Sequence, residues 1–469
     1  VWVSTSEELS ALKQKLGSKF AIGALGNLRE RVSGDRAMLR TQSGEEIIPQ
    51  RTGRLTKDFY LSAIGEKRSR GEIQPLVNSG IKFDMSQDEK DAYLSAIREE
   101  LVRRGETVIT PAVLYEAAAT ALQGRQSSVS GKVGLQPGTM NPITDGHTTA
   151  ALAGIISENL DAVILANGGT VPDKPYASSA EIRNEMANKA ASEAGISDWV
   201  MVTPARNQTV QMFEENPEIL NLAGPNENAR RFNMDMAAFI WLFIANPNIT
   251  WTYMVGSDKV AEYGKKDERG LLLETLKGHA EVIYFERAGE EIDYEKNIRP
   301  YAWVNELWNS GFFKRSEVES FAELSATKVR TAIVNGEDRI DGVPLDDLVS
   351  ENVLDYIKGS KALMYLYRLE IEETKADRLA RNDATLNEAI TQYEEVLVNI
   401  REERSKGVDD QAVGVDILSK LEELTEDKVA AVRERRGDIV GLGGDKAALR
   451  PEDRVTSDLL GQLSSLIQF

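Results

Sequence analysis

The sequence predicts an α/β protein, a parallel sheet with crossover helices, flanked by mainly α-helical N- and C-terminal regions. Three observations predict it. From Lys132 to Arg287, short apolar runs alternate with longer helical segments, the order that builds parallel sheets. The first of these runs, KVGLQPG, stops in Pro-Gly, a strong strand terminator. Outside this stretch, charged segments with apolar residues at helical spacing take over.

The elements follow in order. Residues 1–128 read as a mainly helical N-terminal region, in which EELSALKQKL and DEKDAYLSAIREELVRR carry the helical spacing. GRQSSVSGK, Gly124 to Lys132, reads as a linker from its Gly and Ser content. Residues 129–342 form the α/β unit. Strand KVGLQPG leads to helix HTTAALAGIISENL, strand DAVILANGG, helix SAEIRNEMANKAASEAG and strand DWVMVTP. Helix NARRFNMDMAAFIWLFIANP, strand ITWTYMVGSD and strand KGHAEVIYFER complete it. Residues 343–469 return to helix, with DDLVSENVLDYIKG followed by extended charged helices from Ala362 to Lys406. LNEAITQYEEVLVNIREER approaches heptad spacing, over too few heptads to define a coiled coil.

Composition narrows the function classes. With 469 residues the chain is long enough for two to four domains at about 100–200 residues each. It has no cysteine, which excludes disulfides, thiolate metal sites and cysteine nucleophiles. The net charge is −19, and it is uneven: residues 1–130 carry 19 basic and 17 acidic side chains, leaving 37 basic and 58 acidic for the rest. Such an acidic body argues against nucleic-acid and anionic-membrane partners. The longest apolar run, Met236 to Ala245, is far short of the roughly 20 residues of a membrane span and reads as a buried helix. No charged leader precedes an apolar stretch at the start, and Val1 in place of methionine reads as a processed or trimmed product. The expected location is cytoplasmic, or a virion if the chain is a matured assembly component.

GTMNPITDGH, Gly138 to His147, follows a strand and opens a helix. Gly138 lets the backbone turn and lets a ligand approach. The helix N-terminus points free N–H groups and a positive dipole end forward, a ready site for phosphate. Thr144 adds a hydroxyl and His147 an imidazole; the only other histidine is His279.

This segment resembles the T/H-x-G-H motif of the nucleotidyltransferase superfamily, in particular phosphopantetheine adenylyltransferase and nicotinamide mononucleotide adenylyltransferase. Three further segments resemble the family's motifs in order. NGGTVPDKPY places Lys174 in a loop where the families carry a basic residue, and Arg183 and Met186 resemble the R-x-x-M of the mononucleotide branch. YMVGSDK gives Gly256 and Asp258, similar to its G-x-D. LSATKVR resembles I-S-S/T-x-x-R, with Ser325, Thr327 and Arg330 in its polar places and Ala326 departing from the second serine. The cytidylyltransferase run R-T-E-G-I-S-T is absent. The likeness spans roughly residues 130–340.

The resemblance implies a Rossmann-like nucleotidyltransferase domain that uses ATP and Mg2+. An acceptor phosphate attacks the α-phosphorus, and pyrophosphate leaves. Positioning and charge stabilisation carry such chemistry. His147 and Thr144 would contact the phosphates, and Lys174 would bridge acceptor and α-phosphate. Arg330 would hold β- and γ-oxygens in its planar fork. Gly138, Thr139, Gly146, Gly256, Asp258, Ser325 and Thr327 would complete the nucleotide site. Mg2+ would be held by ATP oxygens and water, with no protein metal ligands. The implied acceptor is a small phosphate-bearing molecule, nicotinamide mononucleotide-like first and phosphopantetheine second. Tyr263 is the candidate stacking aromatic. Read singly, Lys174 and Arg183 also fit surface residues, and Gly256 to Asp258 also fits a helix cap. A second reading is a structural or assembly protein, such as a virion component, built on this fold. Its helical flanks would join copies into a homo-oligomer or larger assembly. A third is regulatory nucleotide binding without turnover.

Overall fold

Six strands form one parallel sheet: β1 (Gly131–Gly138), β2 (Ala162–Asn167), β3 (Val200–Thr203), β4 (Ile249–Gly256), β5 (Ala280–Phe285) and β6 (Phe313–Arg315). Their spatial order is β3-β2-β1-β4-β5-β6, and every pair is parallel. This is the doubly wound Rossmann order, with the direction of winding reversing between β1 and β4. The computed structural model describes residues 39–40, 46–47, 53–71, 73, 80–168, 176–263, 272–273, 275–286, 292–316, 326–406 and 415–442. The expected helix EELSALKQKL lies outside them.

Burial on both faces explains the strand sequences. All six residues of β2 are buried. Ala162, Ile164 and Ala166 join one apolar core, whereas Val163 and Leu165 join the other. That is the two-residue period of a strand covered on both sides, which reads as an apolar run until the buried Asn167 at its carboxyl end.

The principal helices are α1 (Gly53–Ser69), α2 (Gln87–Arg104), α3 (Pro111–Ala121), α4 (Asp145–Ser157), α5 (Ala180–Glu193), α6 (Ala205–Glu214), α7 (Glu227–Ala245), α8 (Ala326–Asn335), α9 (Glu351–Gly359), α10 (Lys361–Ala380), α11 (Leu386–Ser405) and α12 (Val415–Leu442). Local chemistry sets their ends. Ser86 and Glu89 form a reciprocal capping box at the start of α2, and Gly105 ends that helix at φ 65°. Thr110 caps α3, with Pro111 at its first position. Within α7, Met236 to Phe243 are buried. No described helix is long and apolar enough to cross a membrane.

One core lies between the sheet and α2, α3, α6 and α7. The other begins at the opposite face of the sheet with Leu152, Val163 and Leu165 and passes under Val329 and Ile333 of α8. It continues without interruption into Leu363, Leu366 and Leu369 of α10, then Val396 of α11 and Leu418 of α12. The C-terminal helices therefore share the core of the sheet. Beyond it, Lys428 bridges Glu373 at 3.1 Å and Asp377 at 3.0 Å, and the Tyr393 hydroxyl donates to Asp377 at 2.5 Å.

The structure adds elements that periodicity did not reveal. These are β6, α6, the short helix Ala302–Asn309, and a break over residues 381–385 that separates α10 from α11. The expected linker is fastened down: the Ser127 N–H donates to Ala245 O and its hydroxyl to Gly80 O, both at 2.8 Å.

Candidate active site at the sheet switch point

The register of β1 opens a crevice. β1 pairs with β4 from Gly131↔Ile249 to Leu135↔Tyr253, where the ladder stops. Beyond that point Gln136, Pro137 and Gly138 pair only with β2, while Met254, Val255 and Gly256 pair with β5. The two strands part at the reversal of winding. In doubly wound sheets ligands bind in this place, outside the carboxyl ends of the strands.

The loop leaving β1 enters the parting. Met140 has a positive φ of 47°, uncommon for a residue with a side chain, and it is buried. Thr144 then caps α4 in extended geometry. Its backbone N–H donates to His147 Nδ1 at 3.2 Å, and its hydroxyl oxygen lies 2.8 Å from the same nitrogen. An N–H can only donate, so Nδ1 is the acceptor. The neutral ring in this arrangement carries its proton on Nε2. The Thr144 and His147 side chains thus form a capping pair of the Ser/Thr-x-x-Glu type, with imidazole in place of carboxylate. Gln136 Nε2 donates to His147 O at 3.2 Å, tying the strand to this first turn. Gly146 follows Thr144 with room to spare: a Cβ there would meet only Thr144 Oγ1, at 3.6 Å.

Neighbouring elements hold the loop. Arg183, on α5, is almost wholly buried and donates from Nε to Ser178 O and from Nη1 to Thr139 O, both at 2.9 Å. Burial first, then Arg206, push its guanidinium down to about 10. Met186 is fully buried beside it in sequence, so this helix turns its R-x-x-M inward. Arg206 donates from Nη1 to Ala166 O at 3.0 Å and pairs with Asp235. Burial opposes its charge, but Asp235 outweighs burial and leaves it above its ordinary value. Gly168 matters here, because a Cβ would press on the Arg206 guanidinium at 3.3 Å.

Asn141 is a buried hub that the sequence reading missed. Its Oδ1 accepts from Ser178 Oγ at 2.9 Å and from Tyr367 Oη at 3.3 Å; its Nδ2 donates to Tyr176 O at 3.4 Å. Its carbonyl accepts from Arg330 Nη1. Asp145 is buried too and pairs with Lys57 of α1 at 2.6 Å. Burial pushes its carboxyl up, and Lys57 opposes this. The Asp145 N–H donates to Leu348 O at 2.8 Å.

The structure thus joins Gly138, Thr139, Thr144, Gly146 and His147 in one loop, with Arg330 bonded to its middle. Arg330 also receives the Glu370 carboxylate bidentately through Nε and Nη2, and Nη2 donates to Thr327 Oγ1 at 3.0 Å. The fork expected to face β- and γ-phosphates faces Glu370 here. Gly256 ends β4 on the other side of the parting, and Asp258 lies in the first turn of the short helix Ser257–Tyr263. Tyr263 is buried and stacks on Phe313 with centroids 6.1 Å apart, so it serves the core. His279 stacks on Tyr115 at 4.6 Å, and burial lowers its basicity. Lys174 and Ser325 lie outside the described residues.

Strand order, the parted strands and a capped helix at the parting define an α/β protein of the Rossmann-like class. Two solved structures of nicotinic acid mononucleotide adenylyltransferase from Plasmodium falciparum, complexed with APC and with NaAD, are similar to it. Each is 16% identical, covers 48% of this chain and 94% of its own, and gives a TM-score of 0.30 or 0.32 respectively. No family model and no curated protein matches the sequence.

Proposed function

We propose that the chain is an adenylyltransferase, moving AMP from ATP to a small phosphate-bearing acceptor with release of pyrophosphate. The nicotinamide mononucleotide-like acceptor stands first and phosphopantetheine second. The carrying observation is the Thr144–His147 pair at the start of α4, at the parting of β1 and β4.

The chemistry needs little from the protein beyond alignment and charge. An acceptor phosphate oxygen forms a bond to the α-phosphorus. The bond from that phosphorus to the bridging oxygen breaks, and pyrophosphate leaves with the electron pair. His147 Nε2–H donates to an α-phosphate oxygen as charge gathers there. Thr144 and the α4 dipole add to that field. The space beside Gly146 admits a phosphate close to the backbone. Gly138 and Thr139 shape the loop, Gly256 and Asp258 border the nucleotide, and Ser325 and Thr327 flank the triphosphate tail. Lys174 bridges acceptor and α-phosphate. Mg2+ would be held by triphosphate oxygens and water, since it keeps several waters and binds through substrate phosphates. When bound it neutralises the tail. The implied compartment is the ATP-supplied cytoplasm.

The test is pyrophosphate release from ATP and Mg2+ with nicotinamide mononucleotide, nicotinate mononucleotide and phosphopantetheine offered separately. Release with one names the acceptor. No release with any of them overturns the reading.

A second reading, assembly through the helical flanks, is favoured by a groove between α11 and α12. It is lined by Leu397, Val398, Val429 and Ala430 together with Glu394, Arg401, Glu426 and Arg433, and Val398 is 56% exposed. Light scattering that gives a monomer at all concentrations excludes it.

A further inference from the structure

The C-terminal helices reach the candidate site at two points. Leu348, ahead of α9, offers its carbonyl to the Asp145 N–H at the start of α4. On α10, Tyr367 is wholly buried, donates to Asn141, and stands 5.7 Å from the Arg330 guanidinium. Three residues on, Glu370 takes the Nε and Nη2 edge of that guanidinium with both carboxylate oxygens. This is the edge that binds carboxylate and phosphate bidentately. The Arg330 side chain is 10% exposed and that of Glu370 17%. The pair lies at the margin of the core, where a carboxylate can turn to water.

We propose that Glu370 is an internal anion that occupies the polyphosphate place on Arg330, so that an incoming triphosphate must displace it. The inference rests on the proposed nucleotide site and assigns it an autoinhibitory contact from the C-terminal helices. The two anions are mutually exclusive, since one planar edge cannot hold two bidentate partners. Losing the Glu370 contact loosens the hold of α10 on the site around that residue, leaving the Tyr367 bond to Asn141 as its remaining link to the loop. Neutralising position 370 removes the competing charge and leaves the shape unchanged.

Binding of inorganic tripolyphosphate and of ATP, each with Mg2+, would be measured by calorimetry on the whole chain and on Glu370→Gln. The expected result is about tenfold tighter binding of both probes by the variant, from loss of a charged competitor. Hydrogen exchange on the unaltered chain gives an independent readout: tripolyphosphate should speed exchange in α10 around residue 370. Equal affinities of chain and variant, with α10 exchange unmoved, overturn the inference. If Glu370→Gln binds tripolyphosphate more tightly but neither protein binds ATP, the internal anion stands and the adenylyltransferase reading falls.

Discussion

Replacement of His147 separates two jobs that the same side chain performs. As a helix cap, Nδ1 accepts the Thr144 N–H at 3.2 Å. Losing such a cap costs about 0.5–2 kcal/mol. In a chain this long each kcal/mol moves the melting temperature by about 1 °C. As a donor, Nε2–H would act on charge that builds up in the transition state, and removing one such donor costs about 10²–10³-fold in turnover. His147→Ala loses both. His147→Asn keeps the first, because Asn Oδ1 occupies the position of Nδ1 while nothing replaces Nε2. Melting curves and pyrophosphate release on the three proteins should therefore disagree. The asparagine variant should keep the parent's melting temperature while the alanine variant falls by about 0.5–2 °C, yet the former should turn over about 10²-fold more slowly than the parent. If it recovers turnover together with melting temperature, the imidazole is a cap only and the chemical role is refuted.

Two other predictions concern packing and charge. Gly134 lets β1 approach Met254, since a Cβ would meet its Sδ at 2.4 Å and Leu160 Cδ1 at 2.9 Å. Gly134→Ala should cost about 1–3 kcal/mol in urea unfolding, by overpacking under α4; an unchanged midpoint would show that Met254 yields freely. Burial pushes the Glu373 carboxyl up, against the pull of Lys428. An acid whose folded pKa is raised stabilises the fold while protonated, and that stability is lost as pH rises through the raised value. Glu373→Gln should therefore match the parent near pH 4 and be equal or more stable at pH 7, by up to about 1 kcal/mol, with Lys428 keeping Asp377. Lower stability of the variant at pH 7 than at pH 4, relative to the parent, would show that the Lys428 pairing outweighs burial.

Much of the sheet was legible because its strands are apolar runs closed by turn residues, as with KVGLQPG and DAVILANGG. Three-residue β6 carries no such run, and α6, ARNQTVQMFE, is too polar to stand out. In the site, Thr144 and His147 are three apart on one helical turn, so local spacing reveals their meeting. Glu370 lies 40 residues beyond Arg330 in an ordinary charged helix, and Lys57 lies far upstream of Asp145. Contacts made by tertiary packing leave no local pattern. Nor does spacing say which way Arg183 turns: only the structure shows it holding Thr139 O inside the protein.

The shared core has a consequence for how the chain is made. A ribosome emits β1 to β6 and α8 before it emits Leu363, Leu366 and Leu369, which close the apolar face beneath α8. Until then Val329 and Ile333 have no complete cover. The nascent protein thus carries a finished sheet with an oily gap along one side, the kind of intermediate that chaperones hold. Maturation of the crevice waits on α10, which brings Tyr367 and Glu370 to it.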